Sequence, residues 1–283
     1  MSFIEEIKLR YKKGNIVEKL IYINIAVFII TNLSQLFIKS PKTDLNFIVN
    51  WFSLDDSFNS LFLKPWTIIS YGFLHADFLH ILMNLIVLYF IGNLFIQYFT
   101  QKQLLTFYFL GTLFGGLLYL FSQNYFPIFE GENSLLVGAS AGVSAIVIGI
   151  ATSIPNYQLK LRFIGFVKLW HLAAIWIGLD ILALTGGNAG GHFAHLGGSL
   201  FGFLYVNQAS NKEIKIWDKL TSLFKTKKKP LKTVYKSPKR NSKSVKSTSL
   251  NQQQIDIILD KISKSGYDTL TKEEKEFLFK QGK

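Results

Sequence analysis

Five histidines occur in the chain, and four of them (His75, His80, His192 and His195) stand within or at the ends of apolar runs. An ionisable side chain is costly there, which makes it a functional candidate by default. His171 lies at the opposite end of its run and is set aside. Asp77, Asn84, Ser140, Ser144 and Asp180 occupy comparable positions. Ser140 belongs to GASAGVSAIVIG, residues 138–149, inside a stretch without charge from Ser134 to Ile154. A serine hydroxyl is a weak nucleophile until a neighbouring base takes its proton, and imidazole is the usual base. His80 and Asn84, four residues apart in HADFLHILMN, fall on one face of a helix. Two donors aimed at one point are what a developing negative oxygen requires, although the same pair could instead anchor a loop. The chemistry in view is acyl transfer to Ser140 followed by hydrolysis.

Such groups need helices that approach closely. In GGHFAHLGGSLFG, residues 190–202, Ala194, Gly198 and Gly202 recur every four residues, a ridge of small side chains that admits another helix. Gly138 and Gly142 repeat the spacing beside Ser140. If the two ridges face each other, Ser140 and His195 come within hydrogen-bond reach. The plainer alternative is a packing serine beside a packing histidine, since small-residue ridges are widespread in membranes. Gly138 also suggests a helix start just before Ser140, whose free N–H groups would join His80 and Asn84 around an oxyanion.

Six apolar runs, approximately 19–38, 78–99, 104–123, 134–154, 168–186 and 190–208, each approach the ~20 residues a helix needs to cross a bilayer. The short link TGGNAGG makes the last two antiparallel neighbours. With 49% hydrophobic and 15% aromatic residues, the chain reads as an all-α polytopic membrane protein. Lys8, Arg10, Lys12, Lys13 and Lys19 precede the first run, Lys102 follows the second, and Lys160, Arg162 and Lys168 follow the fourth. The connection 124–133 carries only Glu130 and Glu132, so both termini are expected on the cytoplasmic side. The basic N-terminus lacks the pattern of a removable signal peptide. In the first connection, 39–66, the pieces FIVNWF and SLFLKPW suggest a segment lying in the membrane interface.

The net charge of +13 is concentrated beyond the last run: residues 212–246 hold 13 Lys or Arg and two acids, a local excess of +11. Ile214, Trp217, Leu220 and Phe224 fit a juxtamembrane helix on an anionic leaflet, so the expected partner of this tail is anionic lipid and not nucleic acid. A Lys/Ser-rich linker follows. Ile255, Ile258, Leu259 and Ile262 then form a stripe, Gly266 is a stop, and Thr271 with Glu274 makes a capping box, together a small helical hairpin. The expected division is 1–18, a six-span domain at 19–208, a basic segment at 209–250 and the hairpin at 251–283. Absence of cysteine excludes thiolate chemistry. A histidine metal site is disfavoured because no H-E-x-x-H occurs and the five-residue step from His75 to His80 turns the rings apart on a helix. No phosphate-binding glycine loop is present, and no cofactor is expected.

Taken together, G-x-S in the fourth run, A-H-x-x-G-x-x-x-G in the sixth and H-x-x-x-x-H-x-x-x-N in the second resemble the rhomboid intramembrane serine proteases, over residues 19–208. The resemblance implies a six-helix membrane bundle with a Ser–His dyad in a cavity open to the non-cytoplasmic side. It also implies hydrolysis of peptide bonds in or near the membrane span of another protein, one with a helix-destabilised segment. Carried over by motif, Ser140 is the nucleophile, His195 the base, and His80 and Asn84 complete the oxyanion hole with the Ser140 N–H. His192 is expected to border the cavity, and His75 to stand outside the chemistry. Asp180 is expected to accept hydrogen bonds from neighbouring helices or from the 186–191 link, the family resembling a dyad system without a carboxylate. Ala141 stands where a glycine often follows the nucleophile, and Thr67 follows Trp66 where the family often shows Trp-Arg. Ser144 stands where an aromatic ring often packs on the base, a role that Phe193 could take. An alternative function is a catalytically idle relative that binds and escorts membrane segments. The residue usage suggests a bacterial cytoplasmic membrane.

Overall fold

The computed structural model describes residues 3–37, 47–130, 134–161, 165–208 and 245–281. The chain divides into two compact units, residues 1–223 and 224–283. The expected juxtamembrane helix and most of the basic linker lie outside the described residues.

In the first unit, α1 (Phe3–Lys13) leads into α2 (Ile16–Phe37); α3 (Phe47–Phe52), α4 (Phe58–Leu63) and α5 (Thr67–Ser70) are short. The long helices α6 (Phe78–Tyr98) and α7 (Gln101–Tyr125) follow, then α8 (Ser140–Ser153), α9 (Leu169–Leu182) and α10 (Ala189–Gln208). Every apolar run therefore contains a helix, but the lengths differ from expectation. The fourth run begins with extended chain, β2 (Leu135–Leu136), and becomes helical only at Ser140. The fifth helix ends at Leu182, with a 3-10 turn through Thr185. Residues 16–34, α6 and α7 are long and apolar enough to cross a membrane, whereas α8 and α9 are shorter apolar helices. The unit is that of a membrane protein, and α6 turns Phe78, Met83 and Phe90 outward, the apolar surface that lipid covers.

Local chemistry sets the helix starts. Asp77 caps α6 by accepting from the His80 N–H at 2.8 Å. Thr100 and Gln103 form a reciprocal capping box on α7. Gly138, at φ +132°, takes a backbone conformation that a side chain would strain, and α8 begins two residues later.

Packing centres on α7, α8 and α10. A Cβ on Gly198 would run into the Ala141 carbonyl oxygen and one on Gly202 into that of Ala145, so these backbones touch directly. Ala141 and Ala145 are therefore the α8 residues that meet the α10 ridge. This corrects the expectation that Gly138 and Gly142 do so: Gly142 opposes the Tyr108 carbonyl of α7, and Gly138 opposes the His80 ring. Gly142 follows Ala141 by one residue, which turns it about 100° around the helix, and Gly138 precedes the helix altogether. Gly111 and Gly115 of α7 take up the other side, against Ala145 and Ala141.

The first connection folds onto this centre. Its strand β1 (Leu54–Asp55) pairs antiparallel with β2, Leu54 opposite Leu136. Asp56 accepts from the Ser134 N–H at 2.8 Å. Trp51 and Trp66 stack with centroids 6.1 Å apart and remain exposed, in keeping with an interfacial segment. A hairpin of β3 (Gln158–Leu161) and β4 (Gly165–Lys168) joins α8 to α9.

The second unit contains α11 (Val245–Ser265) and α12 (Lys272–Gln281). Gly266, at φ +82°, ends α11. The Thr271 N–H donates to Glu274 at 2.8 Å and the Glu274 N–H to Thr271 Oγ1 at 3.3 Å, the capping box read from sequence. Lys261 meets the same carboxylate at 2.9 and 3.0 Å. Ile258 is buried, but Leu259 turns outward, so the stripe is narrower than its spacing suggests.

Candidate functional site

Ser140 is the first residue of α8, and His195 lies on α10 a short way into the helix. Because α8 and α10 touch through Ala141 and Gly198, the two side chains converge: His195 Nε2 lies 2.7 Å from Ser140 Oγ. No intervening side chain has to be held in place, so backbone contact sets the distance. The helix start leaves the N–H groups of Ser140, Ala141 and Gly142 without a carbonyl in the preceding turn, and the positive end of the helix dipole is there too.

Ser140 and His195 line one pocket with His80, Asn84, Val137 and Trp176. Gly138 separates His80 from Ser140: a Cβ there would lie 2.8 Å from His80 Nε2 and 3.3 Å from Ser140 Oγ. The absence of that carbon keeps the gap open. His80 Nδ1 accepts from the Ala76 N–H at 3.5 Å, a long contact that leaves the ring proton on Nε2, toward the gap. Asn84 is buried, and its amide donates to the His80 backbone carbonyl at 3.0 Å, leaving one N–H for the pocket. The expected oxyanion pair thus shares the nucleophile's pocket, with Asn84 partly turned along its own helix.

The remaining expected positions divide. His75 is buried, packs edge-on against His80 with centroids 5.1 Å apart, and faces the Ala139 N–H at 3.5 Å. It supports the turn before Ser140. That turn is also held by the Gly138 N–H donating to the Tyr71 carbonyl at 3.0 Å, while the Tyr71 hydroxyl donates to the Thr112 carbonyl at 2.7 Å. His192 does not line the Ser140 pocket; its Nδ1 is 2.8 Å from Asp180 Oδ1. Phe193 packs on Phe126 and Phe129 instead of the base. Ser144 accepts from the Trp176 indole N–H at 2.9 Å, tying α9 to α8. Asp180 accepts from a neighbouring helix as expected, and one of its two donors is His195, whose Nδ1 is 2.7 Å from the same Oδ1. Among the described residues, Asp180, His192 and His195 are the one group of three with ligand atoms close enough together, within 4.8 Å, to grip a metal ion.

Sequence reasoning missed the parts played by Ala141, Ala145, Gly111 and Gly115. Gly111 and Gly115 are themselves four apart in the third run, a signal of the same kind as the α10 ridge. The β1–β2 pairing left no comparable signal, since two residues a side carry no periodicity.

The rhomboid domain family model matches residues 63–211. A second model, a family of unknown function, matches residues 246–280. RHOMBOID-like protein 12, mitochondrial, of Arabidopsis thaliana is 34% identical over 165 residues, 54% of this chain and 48% of that protein. Presenilin-associated rhomboid-like protein A, mitochondrial, of Danio rerio is 30% identical over 54% of this chain and 39% of its own length. Rhomboid-like protease 3 of Toxoplasma gondii is 29% identical over 53% of each. The chain thus spans about half or less of the relatives it matches. With more than half of its residues inside the rhomboid model and its polar positions gathered where α6, α8 and α10 meet, the chain belongs to the rhomboid family.

Proposed function

We propose that this protein is an intramembrane serine endopeptidase that hydrolyses peptide bonds in or near the membrane spans of other proteins. The observation that carries the reading is the 2.7 Å contact between Ser140 Oγ and His195 Nε2, in a pocket shared with His80 and Asn84. Ser140 Oγ attacks the scissile carbonyl carbon while its proton passes to His195 Nε2. The carbonyl oxygen, now negative, receives hydrogen bonds from the Ser140 N–H, from His80 and from the remaining Asn84 N–H. The C–N bond then breaks, and His195 returns the proton to the leaving amine. A water that gives its proton to His195 attacks the acyl-enzyme, releasing the acid and restoring Ser140. No cofactor takes part.

On this reading the six helices span the membrane as one bundle, and a locally unwound substrate span enters beside the first connection. The lysine and arginine distribution supports cytoplasmic termini, and it supports anionic lipid, not nucleic acid, as partner of the tail. The relatives named as mitochondrial lend no support to a bacterial membrane, which rests on residue usage alone. The alternative is an idle relative that binds and escorts membrane segments. The bond from Asn84 to the His80 carbonyl favours it to the extent that one oxyanion donor is already engaged.

Cleavage of a generic single-span reporter in liposomes separates the two. The endopeptidase reading expects cleavage by wild type, persistence with chelator, and loss in Ser140→Ala and His195→Ala. Binding of several reporter spans by folded wild type, without cleavage of any, would establish the alternative.

A further inference from the structure

The proposed dyad leaves half of its base unaccounted for. Asp180 is only 5% exposed, and its Oδ1 accepts at hydrogen-bond distance from two rings, His195 Nδ1 at 2.7 Å and His192 Nδ1 at 2.8 Å. Oδ2 has no hydrogen-bond partner among the described residues. A carboxylate has no proton to give, so both ring nitrogens must supply theirs. His195 then carries its proton on Nδ1, and Nε2 presents a lone pair to the Ser140 hydroxyl 2.7 Å away. That is the tautomer a general base needs. The opposite tautomer would point a proton at the hydroxyl and could not accept one.

We propose that Asp180 is a positioning residue of the site: it fixes the tautomer and ring orientation of His195 and offsets the charge that His195 gains when it takes the proton from Ser140. His192 braces the same oxygen from the second side, which keeps the carboxylate from turning away. The arrangement also accounts for three other side chains. The position from which a ring could pack on the base is Ser144, which holds Trp176, and Phe193 turns to Phe126 and Phe129. Orientation by a buried carboxylate stands in for orientation by stacking. The catalytic consequence rests on the endopeptidase reading; the tautomer does not.

The test uses the full chain in liposomes, labelled with 15N-histidine, with the His195 signals identified by their loss in His195→Ala. Wild type is expected to show a protonated Nδ1 and a bare Nε2. Asp180→Ala and the near-isosteric Asp180→Asn, which keeps the packing but not the charge, are expected to lower kcat on the order of 10²–10⁴-fold with KM nearly unchanged. Asp180→Ala should also move part of the His195 population to the Nε2–H tautomer, and Asp180→Glu should recover part of the rate. Unchanged His195 nitrogen signals in Asp180→Ala, or an unchanged kcat in both Asp180→Ala and Asp180→Asn, would overturn the proposal. So would a wild-type His195 whose Nδ1 proton appears only after chelator is added, because a metal would then occupy the position between the rings. The spectra read Asp180 whether or not any reporter is cleaved, so failure of the endopeptidase reading is seen separately.

Discussion

The two walls of the Ser140 pocket are built on opposite plans. On the α10 side, Gly198 and Gly202 bring backbone against the carbonyls of Ala141 and Ala145. On the α6 side, His80 approaches the nucleophile across the space that Gly138 leaves, and its neighbours Leu79 and Met83 face outward. The first wall is fixed by contacts with no rotatable side chain between them. The second relies on side chains on the first two turns of α6. On the endopeptidase reading, proton transfer, which tolerates little error in distance, would fall to the rigid wall. On the same reading the side-chain oxyanion donors, His80 and Asn84, which can tighten as a substrate arrives, are on the adjustable one.

Breaking the rigid wall should therefore cost most. Gly198→Leu places side-chain carbons where the Ala141 carbonyl lies, and no rotamer avoids a clash that begins at Cβ. Reporter cleavage is expected to vanish, and thermal unfolding in detergent should show a destabilisation of about 1–3 kcal/mol or more. A protein of wild-type stability and activity would show that the two backbones are not in contact. The adjustable wall should fail more gently. Asn84→Ala removes one candidate donor, and kcat is expected to fall on the order of 10²-fold while the unfolding temperature stays close to wild type. Full activity in that variant would remove Asn84 from the oxyanion site and leave it the bond to the His80 carbonyl.

The smallest effect is expected in the second unit. Glu274 is held below the usual carboxylate range first by the Thr271 backbone N–H and then by Lys261. A depressed folded value means that its contribution is present above the unfolded value of about 4.5 and is lost as pH falls through the folded one. Acidification through the folded value should lower amide-exchange protection factors around residues 261–274, and Glu274→Gln should remove that pH response without altering reporter cleavage. Loss of cleavage in Glu274→Gln would tie the second unit to the site.

How much of this was legible in the sequence follows the same division. Polar residues in apolar runs stand out because hydrocarbon penalises them, and Ser140, His195, His80 and Asn84 do share one pocket. The α10 ridge was legible as a spacing of small residues. Its partner was not, because Gly138 and Gly142 carry the same four-residue spacing as Ala141 and Ala145 in the same stretch, and alanine gives a weaker signal than glycine. Asp180 was read as a hydrogen-bond acceptor, but its meeting with His195 depends on the rotation of α9 against α10. That rotation is decided by packing, which no spacing within either helix records. The late start of α8 was hidden because Leu135, Leu136 and Val137 are apolar whether extended or helical, and only the positive φ at Gly138 separates the two.

The central claim is that Ser140 is activated by His195, and it can be tested without knowing a substrate. The full chain in liposomes is treated with a fluorophosphonate, which reacts with activated serines, and the adduct is located by peptide mass. The account expects one adduct on Ser140, absent in Ser140→Ala and lost in His195→Ala. No adduct on Ser140 in folded wild type, or equal labelling in His195→Ala, would contradict it.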